Sequence, residues 1–166
     1  MEHNADMAFK YDVNFINPFL SAVVNVLTTM ARVKITPGKP FINKDRTAVG
    51  DVTGLIGVTG YAKGTMSVSL EERAILKIVN NMLYESYTEI NDEIADAVGE
   101  LTNMIAGQAR GDLSKQGMSF QASTPSVVVG KGHSVDHAGS APVLAIPFTT
   151  EDGDLVVEVC FMDKEA

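Results

Sequence analysis

Residues 91–107 read Asn91-Asp92-Glu93-Ile94-Ala95-Asp96-Ala97-Val98-Gly99-Glu100-Leu101-Thr102-Asn103-Met104-Ile105-Ala106-Gly107, and this stretch decides how the rest of the chain is read. Ile94, Val98, Leu101 and Ile105 recur every three or four residues, the spacing of one buried helix face. Asn91 stands where a side-chain oxygen can accept from a first-turn N–H, so the pattern predicts a capped helix, the longest in the chain, persisting to about Leu113. At about 100° per residue, and taking Glu100 as origin, the apolar stripe falls between about 100° and 160°. On the same wheel Asn103 falls near 300°, Asp96 near 320° and Gly107 near 340°, so Glu100 and Asn103 are expected together on the side facing away from the core. A mid-helix glycine costs about 1 kcal/mol relative to alanine, and a close approach by another molecule would explain Gly107. Gly99 and Gly111 border the same face and keep it low in bulk.

Upstream of this helix, Ser69-Leu70-Glu71-Glu72 matches a capping box ahead of Ile75, Ile78, Val79, Met82 and Leu83, predicting a helix that runs to about Tyr84. From Ala48 to Leu70 the pattern alternates instead, and Gly60-Tyr61-Ala62-Lys63-Gly64 supplies the turn of a β-hairpin. Further back, Asn17-Pro18 reads as an N-cap followed by proline at the first helical position, giving a helix from about Pro18 to Arg32. Downstream, strands are expected at Phe120 to Val129, Val143 to Phe148 and Leu155 to Met162, the last two joined by a turn at Glu151-Asp152-Gly153-Asp154. Gly130 to Ala141 reads as a loop. Helix, strands, two helices, strands is the order of an α+β fold, with a helix-plus-antiparallel-strand unit appearing twice as two pseudo-repeated halves.

At 166 residues the chain suits one core, so a single domain is expected over residues 11–166, with residues 1–10 polar and frayed. A net charge of -8 without any Lys/Arg cluster makes nucleic acid and anionic membrane surfaces unfavourable partners. No apolar run is read as a membrane span, and the opening residues resemble no secretion signal, so a cytoplasmic location is expected. Cys160 is the only cysteine and lies in an apolar strand, where a buried, inert thiol is the plain reading. His133 and His137 have a spacing that holds metal when helical, but they fall in the expected loop, so no metal site is read there. Gly57 to Gly64 lacks the Gly-Lys-Ser/Thr ending of a phosphate loop.

On spacing alone, a Glu and an Asn three apart on an exposed helix are ordinary. Asp96-x-x-x-Glu100-x-x-Asn103-x-x-x-Gly107 in a long middle helix, however, resembles the signature of the CheC/CheX/FliY phosphatases. The resemblance extends over nearly the whole chain, through Asn17-Pro18-Phe19-Leu20, Gly57-Val58-Thr59-Gly60 with Lys63-Gly64-Thr65, and Thr124-Pro125-Ser126-Val127-Val128-Val129-Gly130, all in the family's order. CheC-type members carry a Glu-x-x-Asn pair in each half. Here the first helix offers Ser21 and Asn25 without a Glu three residues before an Asn, and the single pair points to the CheX branch.

The resemblance implies a CheC-like fold and hydrolysis of the aspartyl phosphate on a CheY-like receiver, which terminates a chemotaxis signal. It assigns Glu100 and Asn103 as the catalytic pair, with Asn103 orienting the attacking water and Glu100 pairing with the receiver's active-site lysine. Asp96 and Gly107 are implied to support that helix face. It implies no cofactor of the chain's own, Mg²⁺ being supplied in the receiver's active site, and a homodimer whose sheets join edge to edge. Two other readings stand beside this one: a non-catalytic CheX-like module binding a receiver or flagellar switch component, and a phosphatase for a receiver outside chemotaxis.

Overall fold

The computed structural model describes residues 10–44, 47–137 and 141–162, with residues 47–49 described by their backbone alone; apart from Lys10, the N-terminal stretch expected to fray lies outside these. Helix α1 (Val13–Ala31) starts five residues before the expected Pro18, because Asp12 rather than Asn17 caps it: Asp12 Oδ1 accepts from the Phe15 N–H at 3.0 Å. Pro18 therefore sits inside the helix, where it cannot donate to the Asn14 carbonyl. That oxygen accepts from Gln116 Nε2 at 2.9 Å instead, so the bond proline removes is replaced from 102 residues away in sequence. Contrary to the sequence expectation, α1 is long and apolar enough to cross a membrane by length and composition. Its Phe15, Phe19, Ala22, Val23, Val26 and Leu27 lie in the protein core, as in the core helix of a globular domain.

The strands that follow are β1 (Thr36–Pro37), β2 (Phe41–Ile42), β3 (Thr47–Gly60) and β4 (Gly64–Leu70). Helices α2 (Glu72–Leu83) and α3 (Asp92–Ser114) come next, and β5 (Phe120–Ala122), β6 (Ser126–Asp136), β7 (Val143–Thr150) and β8 (Gly153–Phe161) complete the order. The eight strands of the described residues form one antiparallel sheet in the order β1-β7-β8-β4-β3-β5, with β2 also on β7 and β6 also on β3. Its centre joins β4 to β8, one strand from each half, and each is flanked by its own hairpin partner, β3 or β7. This is the expected α+β architecture of two helix-plus-antiparallel-strand halves. Alternate residues of the strands, Val52, Ile56 and Val58, Met66 and Val68, Leu144 and Ile146, Val157 and Val159, meet the helices in one core. The opposite sheet face carries the buried polar residues Thr53, Ser67, Ser69 and Glu158.

Three local expectations are corrected. Ser69 does not cap α2: it stays in β4, hydrogen-bonded to Thr53 Oγ1 at 2.8 Å, and the Glu72 N–H donates to Asp51 Oδ2 at 2.7 Å. Phe120 to Val129 is two strands, because Ser123 turns aside to exchange bonds with Gly57, its N–H donating to the Gly57 carbonyl at 2.9 Å and its Oγ accepting from the Gly57 N–H at 3.0 Å. Residues 130–136, read as loop, continue β6 along the first part of β3. Gly132, one of the residues that suggested a loop, serves an irregularity instead: the register shifts between Gly50 and Val52, and Gly132 takes φ +64°, a conformation that favours glycine.

Candidate functional site

Helix α3 owes its start to Asn91, whose side-chain oxygen accepts from the Ile94 N–H at 2.9 Å, as the sequence predicts. Asp92 and Glu93 in the first turn complement the positive end of the helix dipole. Tyr87, in the loop before the cap, donates its hydroxyl to Glu93; that bond is the main cause holding the phenol up at about 12. Along the buried side, Ile94, Val98, Leu101, Thr102, Ile105, Ala106, Ala109 and Leu113 face the core. Thr102 is the single polar member, and its hydroxyl donates to the Val98 carbonyl at 2.8 Å.

The outer side presents Asp96, Glu100 and Asn103, all exposed, with Gly107 half-buried one turn beyond Asn103. Residues three apart on a helix bring their Cβ atoms to roughly 5–6 Å, so the Glu100 carboxylate and the Asn103 amide can address one small group together. Among the described residues neither side chain forms a hydrogen bond or an ion pair with the rest of the chain, and nor does Asp96. A Cβ placed at Gly107 would meet nothing nearer than Arg110 Nη2 at 4.0 Å, so internal packing does not require glycine there. One flank of this face is bounded by α1, where Asn25 Nδ2 donates to Gln108 Oε1 at 2.9 Å. The other is bounded by the end of the turn between β5 and β6 and the start of β6, where Pro125 and Val127 stand against Gly99.

A carboxylate and an amide so placed have complementary uses. The amide can donate to one partner and accept from another, which suits holding a water. The carboxylate accepts only, and suits pairing with a cation brought by another molecule. His133 and His137 are engaged elsewhere. His133 Nε2 lies 2.7 Å from Thr53 Oγ1, and His137 is buried with Nδ1 2.7 Å from Thr65 Oγ1 and Nε2 3.3 Å from Glu158 Oε1. Cys160 is buried, as expected. Sequence reasoning did not single out Thr102 or its neighbour across the core, Gly54, since that contact joins residues remote in the chain.

Residues 52–149 match the family described as chemotaxis phosphatase CheX. The CheY-P phosphatase CheX of Thermotoga maritima is 27% identical over 150 residues, covering 89% of this chain and 97% of that protein. Among solved structures, the chemotaxis protein CheX from Vibrio vulnificus superposes with a TM-score of 0.86 at 43% identity, covering 90% of this chain and 99% of the other. The CheX chain of a CheX-CheY-BeF3-Mg²⁺ complex from Borrelia burgdorferi is similar at a TM-score of 0.73 and 25% identity, covering 93% of this chain and all (100%) of that one.

Proposed function

The chain belongs to the chemotaxis phosphatase CheX family, and on that premise we propose that it hydrolyses the aspartyl phosphate of a CheY-like receiver, with Asn103 orienting the water and Glu100 docking the receiver. The observation that carries this reading is that the two side chains are exposed on one helix face and uncommitted to their own chain. A phosphoaspartate is an acyl phosphate, and in-line attack on it needs a water held opposite the leaving carboxylate. Orientation of that kind can contribute several kcal/mol. The Asn103 amide holds the water without the repulsion that a carboxylate would suffer from the phosphoryl oxygens. Glu100 is unfavourable beside a phosphate unless neutralised, and a lysine in the receiver's active site supplies the neutralising charge. Asp96 and Gly107 complete the face, the one adding polarity and the other clearance. Mg²⁺ belongs to the receiver in this scheme, and a cytoplasmic setting goes with such a partner.

The same reading includes a homodimer through the edge strand. β6 is paired with β3 on one side only among the described strands, and it exposes Val128 (46%) and Val129 (51%). A long, apolar edge is a template for a second copy.

Phosphate release from phosphorylated receiver tests the reaction. Asn103→Ala should lose turnover by roughly 100-fold or more while binding is kept, and Glu100→Ala should weaken both. Equal turnover by wild type and Asn103→Ala would remove the assignment, and a wild type that binds the receiver without accelerating release would leave a binding module.

A further inference from the structure

We infer that Gly54 and Thr102 form a seat that fixes the height of α3 above the sheet beneath the functional pair, making both positioning residues for the hydrolysis proposed above, on which this inference rests. The residues of β3 that face the helices run Val52, Gly54, Ile56, Val58, three buried apolar side chains with a gap at the second place. Thr102 fills the gap. It is fully buried (0%), and a Cβ added at Gly54 would overlap its Oγ1 and stand 3.0 Å from its Cβ. Because the Val98 carbonyl already satisfies its hydroxyl, Thr102 can lie against bare backbone without leaving an unpaired donor.

The strand beneath cannot step aside. Gly54 is paired with Val68 of β4 and with Val127 of β6, so β3 is held from both edges at this point. The helix is the part free to yield, and close-packed interiors do not absorb an added methyl group. Thr102 shares its turn with Glu100 and Asn103 and points about 160° away from Glu100, so lifting Thr102 off the sheet carries the pair outward. An outward shift of about 1 Å can cost roughly 100-fold in a reaction that depends on alignment. Docking through Glu100, a flexible side chain meeting a flexible cation, tolerates the same shift. Turnover should therefore fall while affinity stays.

The test uses full-length chain, with turnover read on phosphorylated receiver at saturation, affinity on beryllofluoride-loaded receiver, and folding by circular dichroism. Gly54→Ala should lower turnover by about 10- to 100-fold with the dissociation constant changed less than about threefold. In the double variant Gly54→Ala/Thr102→Ala, the overlap with Oγ1 is gone and only the 3.0 Å contact between the two Cβ atoms remains, which needs a much smaller shift, so turnover should recover severalfold over Gly54→Ala, toward that of Thr102→Ala alone. Thr102→Ser keeps Oγ1 over Gly54 and should turn over faster than Thr102→Ala, a comparison that stands even where Gly54→Ala does not fold. A folded Gly54→Ala with wild-type turnover, a double variant no better than Gly54→Ala, or equal rates for the Ser and Ala variants would each overturn the seat. Asn103→Ala assayed alongside separates the two claims: its loss of turnover beside an unimpaired Gly54→Ala sinks the seat alone, whereas wild-type turnover by Asn103→Ala sinks the reaction and the seat with it.

Discussion

Helices α1 and α3 hold corresponding places in the two halves, each the long helix leading into its half's strands, yet their outer faces are spent differently. On α1 the exposed side chains include Ser21, Asn25 and Thr29, and the asparagine is bound to Gln108 of α3, with the Thr29 hydroxyl donating to it in turn at 3.3 Å. On α3 the exposed Asp96, Glu100 and Asn103 bind nothing in the described chain. On the function proposed above, an asparagine alone does not make a helix functional; what α3 adds is a carboxylate one turn away, with both groups left free by the fold.

The sharpest way to break this contrast is to give α3 a charge where it has an amide. Asn103→Asp is nearly isosteric, but its carboxylate would face phosphoryl oxygens; turnover should fall roughly 100-fold or more, as far as with alanine. Retention of turnover by Asn103→Asp in a phosphate-release assay would mean that the residue acts as a base, and the water-orienting role would be wrong.

Much of α3 could be foreseen because its determinants are local. Asn91 caps its own first turn, and Ile94, Val98, Leu101 and Ile105 repeat at helical spacing, so the burial of one side and the exposure of Glu100 and Asn103 follow from sequence order alone. The start of α1 could not be read the same way. Pro18 looked like a first-turn residue, and the Asn14 carbonyl that it leaves without a helical donor is met by Gln116, from far along the chain. The start of α2 misled for the same reason. Its first N–H is satisfied by Asp51, from the far side of a hairpin, while the apparent cap Ser69 is held in β4. The seat at Gly54 left no trace in sequence either, since a glycine in a strand announces space without naming its occupant.

A smaller effect, opposite in sign on two readouts, sharpens the contrast further. Gly107→Ala should stabilise the chain by about 0.5–1 kcal/mol, since an alanine suits the helix better and nothing internal opposes its methyl. Overpacking against an approaching receiver should at the same time weaken binding by about tenfold, within the 1–3 kcal/mol typical of an added methyl in a tight contact. A melting curve and a binding titration on the same preparation check both. Unchanged affinity would release Gly107 from the contact face.

The smallest expected effect on function concerns the borrowed cap, which touches stability alone. The backbone N–H groups of Gly132 and Glu72 donate to the Asp51 carboxylate and hold it below its ordinary value of 3.8. A carboxylate depressed on folding contributes stability that is full above its unfolded value and is lost as pH falls through the folded one. Asp51→Asn should cost about 1 kcal/mol near neutrality, and the gap between the two proteins should begin to narrow as pH falls below about 4 and go on narrowing as it falls further. Melting temperatures across that range would show it; a gap independent of pH would mean that the charge plays no part.

The contrast between the two helices is tested most directly by measuring single-turnover phosphate release from a phosphorylated CheY-like receiver for Asn103→Ala and Asn25→Ala under the same saturating conditions. The account predicts that Asn103→Ala falls to the receiver's own rate of release while Asn25→Ala stays within about twofold of wild type. Equal losses from the two substitutions, or a greater loss from Asn25→Ala, would contradict it.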